Sequence, residues 1–272
     1  MSNPSVLASL WTDSREIVAE QYEYRELLFQ LTKRDVLIRY KQAIMGFGWA
    51  VFMPLLNTAV FSVIFTRVAP LHVDVPYPLF AFLGLLTWNF TASALRFSVG
   101  ALTGNINLVT KVYCPREVFT ISSVLVTMID TLVGSIVLVA IMLYYHIGPG
   151  WAVFYLPLVL LIQVAFTTAV GLFISMANLF YRDVKYLFEL VITMWMFATS
   201  VLYPTNLITG ATGLVLRINP MTAIIDGYRD VLLYGRSPLT PAFMWTSVAS
   251  LAILLCSAIV FHRAEFRFAE SV

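Results

Sequence analysis

Residues 151–180, WAVFYLPLVLLIQVAFTTAVGLFISMANLF, form an apolar stretch that carries no charged side chain. A bilayer core about 30 Å thick is crossed by about 20 apolar residues of α-helix, so this stretch is long enough to span one. The strands of a membrane β-barrel are about ten residues long and alternate in polarity, which this stretch does not. It therefore predicts a membrane-spanning helix.

Five further windows have a comparable length and apolar character. They run approximately from Gly46 to Arg67, Pro78 to Leu102, Val118 to Tyr145, Val184 to Tyr203 and Ala242 to Phe261. Arg96 and Glu189 lie near window ends, whereas Asp130 lies near the middle of one. A carboxylate at that depth is costly unless it is paired, protonated or facing a wet interior. The sequence thus predicts an all-α membrane protein with six transmembrane helices.

The composition of the whole chain supports this class. Of its 272 residues, 60% are hydrophobic and 12% are charged, whereas soluble domains are about half apolar and about a quarter charged. These values exclude a disordered chain, a disulfide scaffold and a collagen-like fibre. The net charge of +2 gives no reason to expect nucleic-acid binding. Cys114 and Cys256 lie far apart without metal-ligand spacing, so no metal site is predicted.

The distribution of Lys and Arg sets the predicted orientation. Six crossings place both termini on one side, and that side holds thirteen of the 17 Lys and Arg residues. The positive-inside rule therefore predicts that both termini are cytoplasmic. Residues 1–45 are predicted to form a cytoplasmic N-terminal segment, 46–262 the six-helix transmembrane domain, and 263–272 a cytoplasmic tail. The first 40 residues are polar and predict no secretory signal.

The N-terminal segment has the periodicity of an amphipathic helix. Its apolar residues fall within one stripe about 100° wide. The stripe comprises Ile17, Tyr24, Leu27, Leu28 and Leu31. Glu20 also falls on it. Because acidic residues precede a basic run, one prediction is an interface helix whose basic end meets anionic membrane lipids. The alternative is a helix packed against cytoplasmic loops or a partner.

The predicted external connection, residues 204–241, is 38 residues long and has an apolar pattern of its own. One helical face comprises Met221, Ile224, Ile225, Tyr228 and Leu232. A second short helix is predicted over Leu207 to Arg217, with Asn219-Pro220 as the break, because proline disfavours helical geometry in the preceding residue. Helices too short to span predict a re-entrant hairpin in the outer leaflet, and the alternative is a folded external cap.

The sequence lacks the motifs of an enzyme or a nucleotide-binding site. No Gly is followed by Lys, so the phosphate-binding loop of NTPases is missing, as are the metalloprotease and serine hydrolase motifs. We therefore predict no catalytic residue and no cofactor on this chain. Energy for active transport must then come from a partner or from an ion gradient.

Four motifs along the chain resemble one family. They are Arg39-Tyr40-Lys41 followed by Met45-Gly46-Phe47-Gly48-Trp49 and Pro54, LVTKVYCPRE at 108–117, NLFYRDV at 178–184, and Asn219-Pro220. In this order, on a six-helix plan, the chain resembles the permease subunits of type-2 ABC exporters. The resemblance is strongest to O-antigen polysaccharide permeases, with teichoic-acid and capsule permeases as near relatives. Cys114 and Met45 depart from the family pattern.

The resemblance implies an exporter of lipid-linked polysaccharide in the bacterial inner membrane. Two copies of this chain would form the pore, and two separate ATPase subunits would hold ATP and Mg. ATPase coupling is implied for Ile17, Tyr24, Leu28, Lys111, Tyr113, Pro115, Arg116 and Glu117. Helices one and five of both copies are implied to line the channel, with Phe52, Phe61, Phe65, Trp195, Phe197 and Tyr203 as candidates. The external gate is implied at Asn219, Pro220, Ile224 and Tyr228.

Two other classes of function make different predictions. A gradient-driven carrier predicts inverted repeats with broken helices, and the two halves of this sequence show no convincing similarity. An intramembrane enzyme acting on lipid-linked sugar needs converging carboxylates or histidines, and Asp130 stands largely alone. Lys111 and Arg116 fit either an ATPase surface or a lipid-linked pyrophosphate, and the sequence does not choose between them.

Overall fold

The computed structural model describes residues 19–41, 45–46, 48–71, 73–111 and 114–268, and this part of the chain contains helices and connecting turns without β-strands. The helices are α1 (Arg25–Tyr40), α2 (Gly48–Val63), α3 (Tyr77–Ala101), α4 (Ile106–Lys111), α5 (Glu117–Tyr144), α6 (Leu156–Phe180), α7 (Val184–Phe197), α8 (Gly210–Ile218), α9 (Pro220–Leu232) and α10 (Pro241–Phe268). A π-helical turn, Ile64–Val68, extends α2, and a 3-10 turn, Trp151–Tyr155, precedes α6. The nearly all-helical prediction is confirmed.

Five helical stretches in the described residues are long and apolar enough to cross a membrane. They are Gly48–Val68, Tyr77–Ala101, Glu117–Tyr144, Trp151–Phe180 and Pro241–Ala264. Each coincides with a predicted window to within three residues at either end. Their length and low content of charged residues account for this agreement.

The remaining window, Val184 to Tyr203, does not form one long helix. Helix α7 has 14 residues, which at about 1.5 Å per residue is about 21 Å, shorter than a bilayer core of about 30 Å. The chain leaves helical geometry at Ala198 and continues as a turn whose residues 199–202 are buried. A sixth helical span of full length is therefore not present among the described residues.

Helix α3 is the centre of the bundle. In its most apolar window 83% of the residues are buried, compared with 11% for α2. Polar side chains join α3 to α6: Gln163 Nε2 donates to the carbonyl oxygen of Thr87 at 2.8 Å and to Thr91 Oγ1 at 3.1 Å. The Thr91 and Thr167 hydroxyls lie 3.2 Å apart. Hydrogen bonds of this kind hold helices together where the hydrophobic effect between them is weak.

Helix α1 packs along the N-terminal half of α5. Its Leu31 and Thr32 are buried, and Thr32 Oγ1 donates to Ser122 Oγ at 3.3 Å. Arg39, seven residues after Thr32 on α1, contacts Asp130, which is eight residues after Ser122 on α5. Because both contacts advance towards the C-terminus, the two helices run in the same direction. The predicted stripe faces the protein, because Tyr24, Leu27, Leu28 and Leu31 all pack in one cluster. This contact matches the packing alternative, while Ile17 lies outside the described residues.

The external connection forms two short helices, α8 and α9, separated at Asn219-Pro220 as predicted. On α9, Met221, Ile224, Ile225 and Tyr228 are buried against the bundle, so the predicted apolar face is the packed face. Pro220 occupies the first helical turn, where a missing N–H costs nothing.

Candidate functional site

The predicted coupling segment lies against the N-terminal helix at one end of the bundle. Val109 and Cys114 belong to a buried cluster, and Tyr24 and Leu28 pack against that cluster from α1. Arg116 Nη2 donates to the carbonyl oxygen of Val109 at 3.4 Å. The structure therefore brings together two regions that the sequence separates by about 80 residues.

The coupling candidates differ in how much surface they offer. Pro115 and Glu117 are buried, whereas Tyr24, Leu28 and Arg116 are half-buried and retain accessible surface. Ile17 and Tyr113 lie outside the described residues, and Lys111 is described by its backbone alone. A buried side chain cannot contact a partner protein directly. The two buried candidates can therefore act only by stabilising the conformation of the segment.

Two of the predicted channel residues form an aromatic cluster at the outer end of α3. The Phe61 and Phe65 rings stack with their centroids 6.3 Å apart, and Phe65 lies 5.5 Å from the Tyr77 ring. Both phenylalanines are half-buried, and both pack against the Tyr77 cluster. Within one copy of the chain they act as packing residues.

Three more channel candidates lie at the end of α7. The Trp195 ring meets the Trp88 and Phe166 rings edge-on, at centroid distances of 5.6 and 6.0 Å. The Tyr203 hydroxyl donates to the carbonyl oxygen of Phe197 at 2.6 Å. Of the six candidates, Phe52 and Phe197 are the ones with largely exposed rings, 43% and 60% accessible. These two rings are free to face lipid or another chain.

Asn219 joins the external hairpin to α7. Its side-chain oxygen accepts from the backbone N–H of Met221 at 3.1 Å and caps α9, which asparagine does well. The same oxygen accepts from Trp195 Nε1 at 3.1 Å. Its amide nitrogen donates to the Ala198 carbonyl and to Thr199 Oγ1, both at 2.8 Å. One side chain therefore fixes both the start of α9 and the end of α7.

A buried arginine, Arg229, forms the outer cluster together with Asp226, Ser200 and Val201. Its guanidinium donates to the carbonyl oxygens of Ser200 at 2.6 Å and Val201 at 2.8 Å, and to Asp226 Oδ1 at 3.2 Å. It also lies 3.5 Å from the centre of the Phe80 ring. Arg229 thus provides hydrogen-bond donors for two carbonyls of the turn that follows α7.

The outer cluster packs closely against Gly84 of α3. A Cβ atom on Gly84 would clash with the carbonyl oxygen of Val201 and would lie 2.8 Å from Arg229 Nη2, so the position requires glycine. Burial raises the pKa of the Asp226 carboxyl above its ordinary value, and the adjacent guanidinium opposes this rise by stabilising the ionised form. The sequence analysis did not single out Arg229. The available signal was Asp226, which lies one helical turn before Arg229 and outside the apolar face of α9.

A second ion pair lies near the middle of α5 and forms the inner cluster of Arg39, Tyr40 and Asp130. Arg39 Nη1 contacts Asp130 Oδ2 at 2.5 Å, and the Tyr40 hydroxyl donates to Asp130 Oδ1. The sequence left open whether this carboxylate is paired, and the structure pairs it with two residues of the N-terminal helix. Arg96 and Glu189, which lie near the ends of two predicted windows, pair with each other at 3.1 Å.

Comparisons with known proteins agree with this architecture. Residues 26–233 match the family model described as ABC-2 type transporter. Similar proteins include the O-antigen export system permease protein RfbA of Myxococcus xanthus, 32% identical over 260 residues, which are 94% of this chain and 99% of that protein. RfbA of Klebsiella pneumoniae is 28% identical over 250 residues, 90% of this chain and 94% of the relative. Because the family match covers well over half of its length, the chain belongs to the ABC-2 type transporter family.

Proposed function

We propose that this chain is the transmembrane subunit of an ATP-driven exporter that carries a lipid-linked, O-antigen-like polysaccharide from the cytoplasm across the bacterial inner membrane. The observation that carries this proposal is the similarity to O-antigen export permeases over nearly the full length of both proteins. The chain lacks a phosphate-binding loop, so ATP and Mg are held by separate ATPase subunits.

The polymer path runs between two copies of the chain. Among the described residues, the buried helix α3 fills the centre of a single copy, where a polymer path would otherwise run. By contrast, α2 and α7 carry outward apolar faces that one copy leaves uncovered. The residues include Phe52, Leu56, Val60, Leu187, Val191, Met194 and Phe197. A homodimer that brings these faces together places Phe52 and Phe197 beside the transported glycan.

A sixth crossing is completed by α7 together with the turn that follows it. The buried turn 199–202 carries the chain onward from the end of α7, and its carbonyls are bonded to Arg229, so no backbone oxygen there faces lipid unpaired. The hairpin of α8 and α9 then closes the outer end as a gate. This topology places both termini in the cytoplasm, where Lys and Arg are concentrated.

The ATPase acts on the joint between α1 and the segment 106–117. Tyr24, Leu28 and Arg116 offer surface there, and the buried cluster beneath them transmits a push to α5 and α6. The test of this role is charge reversal at Arg116, measured as export per ATP hydrolysed. Loss of export with continued hydrolysis is expected, and unchanged export would remove Arg116 from the coupling surface.

The experiment that tests the function is deletion of this gene followed by location of the cell's long-chain glycan. Lipid-linked polymer trapped in the cytoplasm, with none at the surface, is the expected result. Chemical analysis of the trapped polymer then separates O-antigen from teichoic acid and capsule. Normal surface glycan in a strain without a second exporter would overturn the proposal.

A further inference from the structure

A cavity of about 520 Å³ lies between α2, α3 and α5, and the end of α1 closes one side of it. It is lined by apolar groups and by an unusual number of polar ones. The polar lining includes Asn57, Asn89, Ser93, Thr127, Asp130 and Thr131. Ligand pockets in proteins have volumes of about 300–1,000 Å³, so this cavity is large enough to hold a small molecule or part of a larger one.

The polar groups come from the same depth in three different spans. Asn57 is the tenth of the 21 residues in Gly48–Val68, and Asn89 is the thirteenth of the 25 in Tyr77–Ala101. Asp130 is the fourteenth of the 28 residues in Glu117–Tyr144. Each is thus close to the middle of its helix. Three polar side chains at mid-membrane depth that converge on one cavity indicate a functional site, because such groups are costly in lipid.

Several of these groups have no partner within the described part of the chain. The amides of Asn57 and Asn89 and the hydroxyl of Ser93 make no hydrogen bond there, although all three border the cavity. Asn57 is exposed within one copy, and Asn89 and Ser93 are half-buried, so a polar ligand can reach and pair all three. In contrast, Gln163 at a similar depth has partners on α3, the Thr87 carbonyl and the Thr91 hydroxyl.

The charge of the cavity selects the class of ligand. Arg39 is neutralised by Asp130 and stacks its guanidinium 4.3 Å above the Phe97 ring, so it presents no free positive charge to a phosphate. What faces the cavity is a balanced ion pair, two amides and hydroxyl groups. This set suits an uncharged ligand rich in hydroxyl groups.

The cytoplasmic mouth of the cavity carries an aromatic ring. Trp49, 43% exposed, lines the cavity one residue after the start of α2, while Asn57 lies two turns deeper. Aromatic rings present a flat apolar face, on which the C–H face of a sugar ring packs. The cavity therefore has a stacking surface at its opening and hydrogen-bonding groups at its base.

We propose that this cavity is a glycan-binding subsite, which holds one or two sugar rings of the lipid-linked polymer on the cytoplasmic side of the membrane centre before they enter the path between the two copies. The proposal rests on the proposed function and adds a site within each single copy. In it, Trp49 stacks on a sugar ring, and Asn57 and Asn89 bond to sugar hydroxyls. The Arg39–Asp130 pair holds the base of the cavity in shape.

The direct test is photo-crosslinking in cells whose export depends on this chain. Benzoyl-phenylalanine replaces Met53, which lines the cavity, or Met244, which is similarly exposed on α10 and serves as the matched control. The probe is the cell's own long-chain glycan, detected on the purified permease by periodate-based carbohydrate staining. Irradiation is expected to give a stained high-mass ladder with the Met53 variant and none with the Met244 variant.

Two outcomes of this experiment would overturn the subsite. One is the absence of a stained ladder at Met53 in cells that still export polymer. The other is a Met53 adduct that consists only of a second permease copy or of lipid, which would show that the cavity is covered by those instead. Neither outcome contradicts the proposed exporter function. That proposal is overturned only if deletion of the gene leaves the surface glycan normal.

Substitutions separate binding from packing. Asn89→Leu and Trp49→Ala are each expected to lower the export rate about tenfold, equal to about 1.4 kcal/mol of lost interaction with the polymer. Asn89→Leu should leave the unfolding temperature unchanged or raised, because it removes an amide that has no partner in the protein. Trp49→Phe should retain most activity, and Trp245→Ala on the exposed face of α10 should retain all of it. Export at the normal rate in Asn89→Leu and Trp49→Ala would contradict the proposal.

Discussion

The outer cluster around Arg229 and the inner cluster around Asp130 are both ion pairs within an apolar bundle, yet they are built differently. Arg229 is 2% exposed and is bonded to two carbonyl oxygens and a carboxylate, with the Phe80 ring beneath it. The inner pair borders a cavity whose amides have no partner among the described residues. A cavity of about 320 Å³ borders the outer cluster as well, but there the guanidinium is held by three hydrogen bonds that fix the fold. Beside the inner pair, by contrast, the amides make no hydrogen bond within the described residues and are available to a ligand. The difference gives the outer cluster a structural role and the inner one a binding role.

The largest expected effect is on the outer cluster. Arg229→Met leaves two carbonyls unpaired and Asp226 without its cation, so it should destabilise the protein by about 3–5 kcal/mol. We expect the unfolding midpoint in detergent to fall by about 6–20 °C. A variant as stable as the wild-type protein would show that the outer cluster does not have this structural role.

The second prediction concerns the glycine against which this cluster packs. Gly84→Ala forces the Val201 carbonyl and the guanidinium apart and should cost about 1–3 kcal/mol. Gly100→Ala on the same helix is the matched control, since nothing lies within 4 Å of the added atom, and it should be neutral or slightly stabilising. Equal unfolding midpoints for the two variants would contradict the close contact.

The third prediction tests the inner cluster. Asp130→Asn keeps the shape of the side chain and its contacts with Arg39 and Tyr40, so stability should fall by only about 1–2 kcal/mol. The loss of export should be larger than this small loss of stability explains, because Arg39 then places an unneutralised charge beside the cavity. Thermal unfolding and surface glycan are measured on the same preparations. A stability loss as large as that of Arg229→Met would make the inner cluster a structural lock as well.

The smallest effect is expected for the ion pair between Arg236 and Asp230. Arg236 pairs with Asp230 at 2.7 Å, but its side chain is 66% exposed. Such pairs contribute at most about 1 kcal/mol, so Arg236→Ala should shift the unfolding midpoint only slightly. A shift close to that of Arg229→Met would mean that solvent exposure does not distinguish the two arginines.

The parts of the fold that the sequence predicts are those governed by local physics. Five spans follow from length and absence of charge, and the break at Asn219-Pro220 follows from the geometry of proline. The stripe on α1 follows from helical periodicity and identifies its packed face correctly. In each case the deciding information lies within about 20 consecutive residues.

The parts that the sequence does not predict depend on distant partners. Hydropathy treats Val184 to Tyr203 as one span, because it cannot show that Arg229 takes the carbonyl oxygens of Ser200 and Val201. The partners of Asp130 lie 90 and 91 residues earlier in the chain, so the sequence around Asp130 does not reveal its environment. The cavity is harder still to predict, since its amides come from separate helices and no spacing in the sequence relates them.

The end of α7 also has a consequence for biosynthesis. Arg229 follows Ser200 by 29 residues, so it leaves the ribosome about 1.5–6 s later at about 5–20 residues per second. Until then the carbonyls of Ser200 and Val201 lack the intramolecular partner that they have in the finished protein. The folding of this region therefore ends with the arrival of α9 and not with the synthesis of α7 itself. A nascent chain that stops before Arg229 lacks the partner of both carbonyls.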